Sequence, residues 1–224
     1  MKVVIIGLGK MGRSVRELAV ERGHTVVAEF GGHDGPLTVA TLAGADVAIE
    51  FTRPEAASAN IMTCLEAKCP VVTGTTGWYD QLPTVVGEVG RLGGALLWGA
   101  NFSVGAQLLF ELGAVAGRLA RAAGGYAPHI VETHHAEKRD APSGTAKQLA
   151  RAIDGDVPVT SIRLGHVPGT HEAVFDGAFD QIRIEHVVRD RRVFADGALT
   201  AAAWLIGKHG VFTMRDVLGV GTVA

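Results

Sequence analysis

A chain of 224 residues, 47% hydrophobic and 20% charged, has the composition of an ordinary globular protein of one large or two small domains. Its formal net charge of −2 and 6% aromatic content argue against a nucleic-acid partner, which would call for a basic excess or stacking platforms. Cys64 and Cys69, the only cysteines, make neither a disulfide framework nor a four-cysteine metal site.

Residues 2–6 (KVVII) form an apolar run too short for a helix and bounded by Gly7, which predicts a buried parallel strand. Val15, Leu18 and Ala19 recur at helical spacing between Lys10 and Arg22, and Gly23 follows as a terminator. TVVAEF (25–30) and ADVAIEF (45–51) read as the second and third strands, and Pro54 opens a helix running to about Leu65. PVVTGTTG and ALLWGANF (95–102) supply the fourth and fifth strands. Strands alternating with helices predict βαβ units and a doubly wound, Rossmann-like parallel sheet. After residue 102 comes a long helix, then IVETHH as a strand, a helix starting near Ser143, and the strand-like runs TSIRLG, HEAVFDG and QIRIEHVV. These predict a second α+β domain on a mixed, largely antiparallel sheet. The chain ends on a helical ALTAAAWLIGK and MRDVLG. The expected division is therefore 1–101 plus 198–224 for dinucleotide binding and 102–197 for substrate binding and oligomerisation. MKVVIIGLG lacks the long apolar core of a signal peptide. No window holds the ~20 apolar residues of a spanning helix, so a cytoplasmic protein without membrane contact is expected.

Gly7-Leu8-Gly9-Lys10-Met11-Gly12 matches G-x-G-x-x-G directly between a predicted strand and a predicted helix, the context that gives such a triplet its meaning. The first glycine permits a tight turn, the second lets the backbone approach a pyrophosphate, and the third allows close helix–strand packing. The helix N-terminus then offers N–H groups and a partial positive charge to phosphates. An acidic residue about 20 positions on should hold the adenosine ribose. Glu29 stands 22 residues after Gly7, with Asp34 as the alternative. No arginine follows Glu29 directly to take a 2′-phosphate, although His33 is close by.

The run from Glu132 to Ala146, ETHHAEKRDAPSGTA, concentrates proton donors and anion binders in one loop. Ser143, after Pro142, is suited to cap a helix whose first N–H groups, on Gly144 and Thr145, could receive a carboxylate. His134 titrates near neutral pH and can serve as a general acid. Adjacent residues on a strand point to opposite faces, so His134 and His135 do not share one ion. With no suitably spaced third ligand, no metal is expected.

Taken together, the glycine motif, Gly74-Thr75-Thr76-Gly77, Gly99-Ala100-Asn101-Phe102-Ser103-Val104-Gly105 and HHAEKRDAPSGTA resemble 4-hydroxy-tetrahydrodipicolinate reductase (dihydrodipicolinate reductase), which acts on the diaminopimelate route to lysine. The resemblance covers essentially the whole chain and continues through Ser161-Ile162-Arg163, Gly169-Thr170-His171 and MRDVLG. It implies NADH or NADPH as cofactor, a small cyclic imine dicarboxylate as substrate, and a homotetramer. By the same resemblance His134 is the general acid, Lys138 a second proton donor, and His135, Gly144 and Thr145 bind substrate. Gly7 to Gly12, Gly74 to Thr76 and Gly99 to Phe102 correspond to the cofactor-binding segments. The chain departs from the family pattern after Glu29, where Phe30-Gly31-Gly32 replaces an acidic-then-basic pair, so the ribose contact and the preference between NADH and NADPH stay open. Gly99-Ala100 also stands where the family more often has Ala-Pro.

Two rivals remain at this level. Another NAD(P)-dependent amino-acid dehydrogenase on the same fold leaves the PSGT helix start unexplained. A non-catalytic NAD(H)-sensing protein has no need of His134 and Lys138 together.

Overall fold

In the computed structural model, which describes residues 1–32, 34–154 and 156–220, the elements run β1 (Lys2–Ile6), α1 (Lys10–Glu21), β2 (Thr25–Phe30), β3 (Val47–Glu50), α2 (Pro54–Glu66), β4 (Val71–Thr73) and α3 (Leu82–Leu92). They continue through β5 (Ala95–Trp98), α4 (Val104–Ala123), β6 (Ala127–His134), α5 (Gly144–Ile153), β7 (Val159–Arg163) and β8 (Thr170–Asp176). β9 (Gln181–Val187), α6 (Arg192–Leu205), β10 (Gly210–Phe212) and α7 (Met214–Val217) complete the chain. Two compact units result, Met1–Ser103 with Arg192–Ala224, and Val104–Arg191. The return crossing falls before residue 198 because α6 begins at Arg192 and belongs with the first unit. Among the described residues, no helix is long and apolar enough to cross a membrane.

The first unit is built on a six-stranded sheet in the order β10-β5-β4-β3-β1-β2, parallel at every pairing. Val3 to Ile6, Val47 to Glu50 and Val71 to Thr73 are all buried, as strands covered on both faces must be. Val4, Ile6, Ala48, Val71 and Leu96 share one cluster with Ile61, Leu65, Val85 and Val89 of α2 and α3. The alternate residues point to the opposite face, where α1 packs against α6. Two elements have no counterpart in the sequence reading. The α3 helix carries its apolar side on Val85 and Val89, and the three-residue β10 extends the sheet by pairing with β5.

The second unit has a four-stranded sheet, β7-β6-β8-β9. β8 is antiparallel to both β6 and β9, whereas β7 runs parallel to β6, its connection passing through α5 as parallel pairing requires. Helices α4 and α5 cover one face through Leu109, Phe110, Leu149 and Ile153 against Ile130, Ala173 and Phe175. The two helices approach closely because Gly117 has no side chain. A Cβ there would stand 2.6 Å from Ile153 O, the same carbonyl that accepts from Arg121 Nη1 at 2.7 Å.

Candidate active site

At the carboxyl edge of the first sheet, the chain order reverses around β1, where open α/β sheets hold ligands. Gly7 turns with φ +96°, and a Cβ on Gly12 would lie 1.7 Å from Gly7 O, so the loop closes onto α1 only with glycine at that position. Gly9, the residue before α1, brings no side-chain cap to the helix start, which leaves that end suited to an anion. A cavity of about 520 Å³ opens beside it, walled by Gly7, Leu8 and Gly9, by Phe30 to Gly32, and by Arg53 and Asn60. The size, the backbone-lined wall and the glycine cradle fit the phosphates and adenosine of a dinucleotide. Lys10 and Met11 follow in the first turn of α1, outside the cavity wall.

Glu29 is not part of that wall. Its carboxylate is held by Arg16 Nε at 2.7 Å, while Asp34 Oδ2 accepts from Gly31 N at 2.6 Å. His33, the other candidate there, lies outside the described residues.

Gly74, Thr75 and Thr76 leave the end of β4, and a buried carboxylate with no signal in the local sequence pattern anchors Thr75 among them. Glu50 is completely buried, yet its oxygens are satisfied. Oε1 accepts from Thr52 N and Thr75 Oγ1, both at 3.0 Å, and from the Thr52 hydroxyl, while Oε2 accepts from the Thr73 hydroxyl. Thr52 N also donates to Thr75 Oγ1 at 2.7 Å. Gly99 to Phe102 follow β5. Asn101 Oδ1 accepts from Ser103 N at 2.9 Å, and the Phe102 ring stands edge-on to Phe51 at 5.9 Å.

In the second unit, the sheet register sets side chains into rows. Ile130, Ala173 and Ile184 are paired across β6, β8 and β9 on the helix-covered face. Two residues further on, the same face turns polar, with Ser161, Glu132, His171 and His186 aligned across all four strands. One more step along β6 places His134 opposite Arg163. Glu132, His134 and His171 are buried at 0%, 7% and 3% exposure.

Glu132 is the hub. Its Oε2 contacts His134 Nδ1, and its Oε1 accepts from Arg163 Nη2 at 2.9 Å and Ser143 N at 3.3 Å. Arg163 in turn donates through Nε to Lys138 O at 3.2 Å and through Nη2 to Asp140 O at 2.6 Å. One guanidinium thus holds the loop that carries Lys138. Lys138 Nζ donates to Asp140 Oδ1 at 2.7 Å, and His135 closes the turn by accepting from Lys138 N at 3.1 Å. Ser143 caps α5, its Oγ accepting from Ala146 N at 3.2 Å and lying 3.1 Å from His171 Nε2. Gly144 and Thr145 therefore begin the helix against the polar row.

Charge at the hub follows from these contacts. Burial works to raise the Glu132 carboxyl, but Arg163, the Ser161 hydroxyl and His134 outweigh it and bring it down to about 2. Burial lowers His134, with Lys138 and Arg163 adding to the effect and Glu132 opposing it. Burial also pushes His171 down to about 4, helped by His134. Lys138 beside it holds Asp140 below the usual carboxylate range.

The local sequence pattern offers no third metal ligand beside His134 and His135. Glu132, His134 and His171 bring one donor atom each to within 4.8 Å of one another. Arg163 and Lys138 already place positive charge against this cluster, which opposes a dication there, and Glu132 Oε2 is engaged with His134. Glu132 could have been noticed from its spacing two residues before His134, which puts both on one strand face. Arg163 and His171 reach the site only through the pairing of β7 and β8 with β6.

Family models describe both halves of the chain, "Dihydrodipicolinate reductase, N-terminus" over residues 1–102 and "Dihydrodipicolinate reductase, C-terminus" over residues 105–218. A 4-hydroxy-tetrahydrodipicolinate reductase of Christiangramia forsetii is 35% identical over 97% of this chain and 98% of its own. One of Chromobacterium violaceum is 34% identical with the same coverage. Among solved structures, a dipicolinate-bound dihydrodipicolinate reductase from Paenisporosarcina sp. TG-14 superposes with a TM-score of 0.82 at 22% identity, covering 95% of this chain and 97% of that one. A diaminopimelate dehydrogenase of C. glutamicum shares the fold at a TM-score of 0.53 and 14% identity, with 95% and 92% covered.

Proposed function

The chain belongs to the dihydrodipicolinate reductase family, and from that premise we propose that it reduces 4-hydroxy-tetrahydrodipicolinate to tetrahydrodipicolinate with NADH or NADPH, using His134 as general acid and Lys138 as second proton donor. The observation that carries the assignment of roles is the Glu132–Arg163 pair, which links His134, the Lys138 loop and the start of α5 in one buried network.

Gly7 to Gly12 hold the pyrophosphate, and Gly74 to Thr76 and Gly99 to Phe102 hold the nicotinamide half. When bound, the dinucleotide supplies a hydride to the substrate ring. The substrate's carboxylates are received by Lys138, His135 and the N–H groups of Gly144 and Thr145. A charge-assisted hydrogen bond of this kind contributes roughly 1.5–3 kcal/mol. His134 donates a proton to the atom where hydride addition builds negative charge, a role that typically contributes about 10²–10⁴-fold. Asp140, now on Lys138, gives way to the incoming dianion. The direct test follows absorbance loss at 340 nm with freshly generated substrate and each cofactor in turn. No turnover with either cofactor would refute the assignment.

We infer a cytoplasmic homotetramer assembled through the second unit. On the sheet face away from α4 and α5, Ile162 and Val187 are 41% and 50% exposed, and among the described residues the outer edges of β7 and β9 carry no further strand, a state that proteins usually cover. Light scattering that found only a 23.4 kDa species would refute this assembly.

A further inference from the structure

We propose that Glu132 is a positioning residue for the reaction, holding His134 with its proton on Nδ1 so that Nε2 is the atom that delivers a proton to the substrate. The inference rests on the reading of His134 as general acid and adds which nitrogen acts and what orients it.

The geometry supports this from both sides of the ring. Nδ1 faces the Glu132 carboxylate, which at neutral pH accepts and cannot donate, so Nδ1 carries hydrogen in both the neutral and the charged imidazole. The carboxylate cannot swing away, because Oε1 is held by Arg163 Nη2 and by Ser143 N. On the other side, Nε2 faces Gly169, where a Cβ would stand 3.1 Å away. A glycine there keeps space open at the reactive nitrogen. The charged and titratable groups around His134 are Glu132 on its own strand, Lys138 in the following loop, Arg163 on β7 and His171 on β8. Of these only Glu132 is an anion, so it alone favours the imidazolium that must form before a proton can be given.

The step balances simply. The Nε2–H bond breaks, its electron pair stays on Nε2, and the proton goes to the substrate atom made electron-rich by hydride addition. The product is a neutral imidazole protonated at Nδ1, the tautomer that Glu132 already favours. A second role for the same carboxylate is geometric, since Ser143 N ties the start of α5 to the same oxygen as Arg163. The proton donor and the helix terminus proposed to receive the substrate carboxylate are thereby held in register.

Two measurements test this. Long-range ¹H–¹⁵N spectra of full-length wild-type protein with ¹⁵N-histidine should show neutral His134 as the Nδ1–H tautomer. Finding Nε2–H would overturn the proposal without any assay of activity. In steady-state kinetics, Glu132→Gln should lower kcat about tenfold or more at neutral pH and move the basic limb of its pH profile about one unit toward acid. KM for NADH should stay unchanged, and Glu132→Asp, which keeps the charge, should return the limb toward its wild-type position. A Glu132→Gln profile superimposable on wild type, or a fall in kcat with an unmoved limb, would overturn the proposal. His134→Asn separates the two layers. If that variant keeps wild-type turnover, the general-acid reading fails, whereas an inactive His134→Asn beside a normal Glu132→Gln defeats only the role given to Glu132.

Discussion

Lowering the pH should destabilise this protein through His171 well before its carboxylates are protonated. His171 is 3% exposed, and burial pushes it from the usual 6.5 to about 4. Because the folded-state value lies below the unfolded-state value, the unfolded chain binds more protons, and stability falls as pH drops through the window from about 6.5 to about 4. Above that window the contribution is fully present, and below it no more is lost. At pH 5 the difference in protonation corresponds to a factor of about 30, or about 2 kcal/mol. For a chain of this length that is on the order of 4–8 °C in Tm. His171→Gln keeps an amide N–H where Nε2 meets Ser143 Oγ but removes the titration. Urea unfolding at pH 7 and pH 5 should therefore show wild type losing about 2 kcal/mol more than the variant. Far-ultraviolet circular dichroism is the appropriate signal, since Trp78, Trp98 and Trp204 all lie in the other unit. Equal pH dependence in the two proteins would refute the argument that burial holds His171 neutral.

Three further outcomes are expected. His134→Ala and Lys138→Ala should each lower turnover at least about tenfold, as loss of a proton donor does, while NADH affinity measured by fluorescence titration stays intact. Normal rates in both at saturating substrate would remove the catalytic assignment. Gly12→Ala forces a Cβ to within 1.7 Å of Gly7 O, and relief of such overpacking costs about 1–3 kcal/mol. Either Tm falls by several degrees or NADH affinity drops more than about tenfold, and a variant unchanged in both would contradict the close packing of that loop. With Glu29 near the end of β2 and Asp34 in the loop after it, NADH should serve at least as well as NADPH, and the Arg16 partner of Glu29 should keep the difference modest. A kcat/KM about tenfold higher for NADPH would overturn this.

What the sequence determined by itself is what local pattern encodes. The apolar run at 2–6, the glycines that follow and the helical spacing of Val15, Leu18 and Ala19 define strand, turn and helix without help from distant residues, because backbone sterics and one-sided burial act over a few positions. HHAEKRDAPSGTA was legible for the same reason, since the acid, the lysine and the helix cap are contiguous in the chain. Local pattern was silent on the weaker elements. The three residues of β10 become a strand only by adding to the β5 edge, and β7 reads the same whether it pairs parallel or antiparallel. The supporting half of the site was equally out of reach. Glu50 looks like a liability in an apolar strand until Thr73 and Thr75 arrive from β4 and the loop after it to join the nearby Thr52 in satisfying it. Glu132 becomes the hub of the second unit only when register sets it opposite His171 and one step from Arg163. Glu29, well placed by counting from Gly7, also pairs with Arg16 on the neighbouring helix, a contact that only the folded chain shows. For the fully buried Glu50 and Glu132, the deciding term is the cost of a charge removed from water, and most of the partners that offset it come from segments distant in the chain.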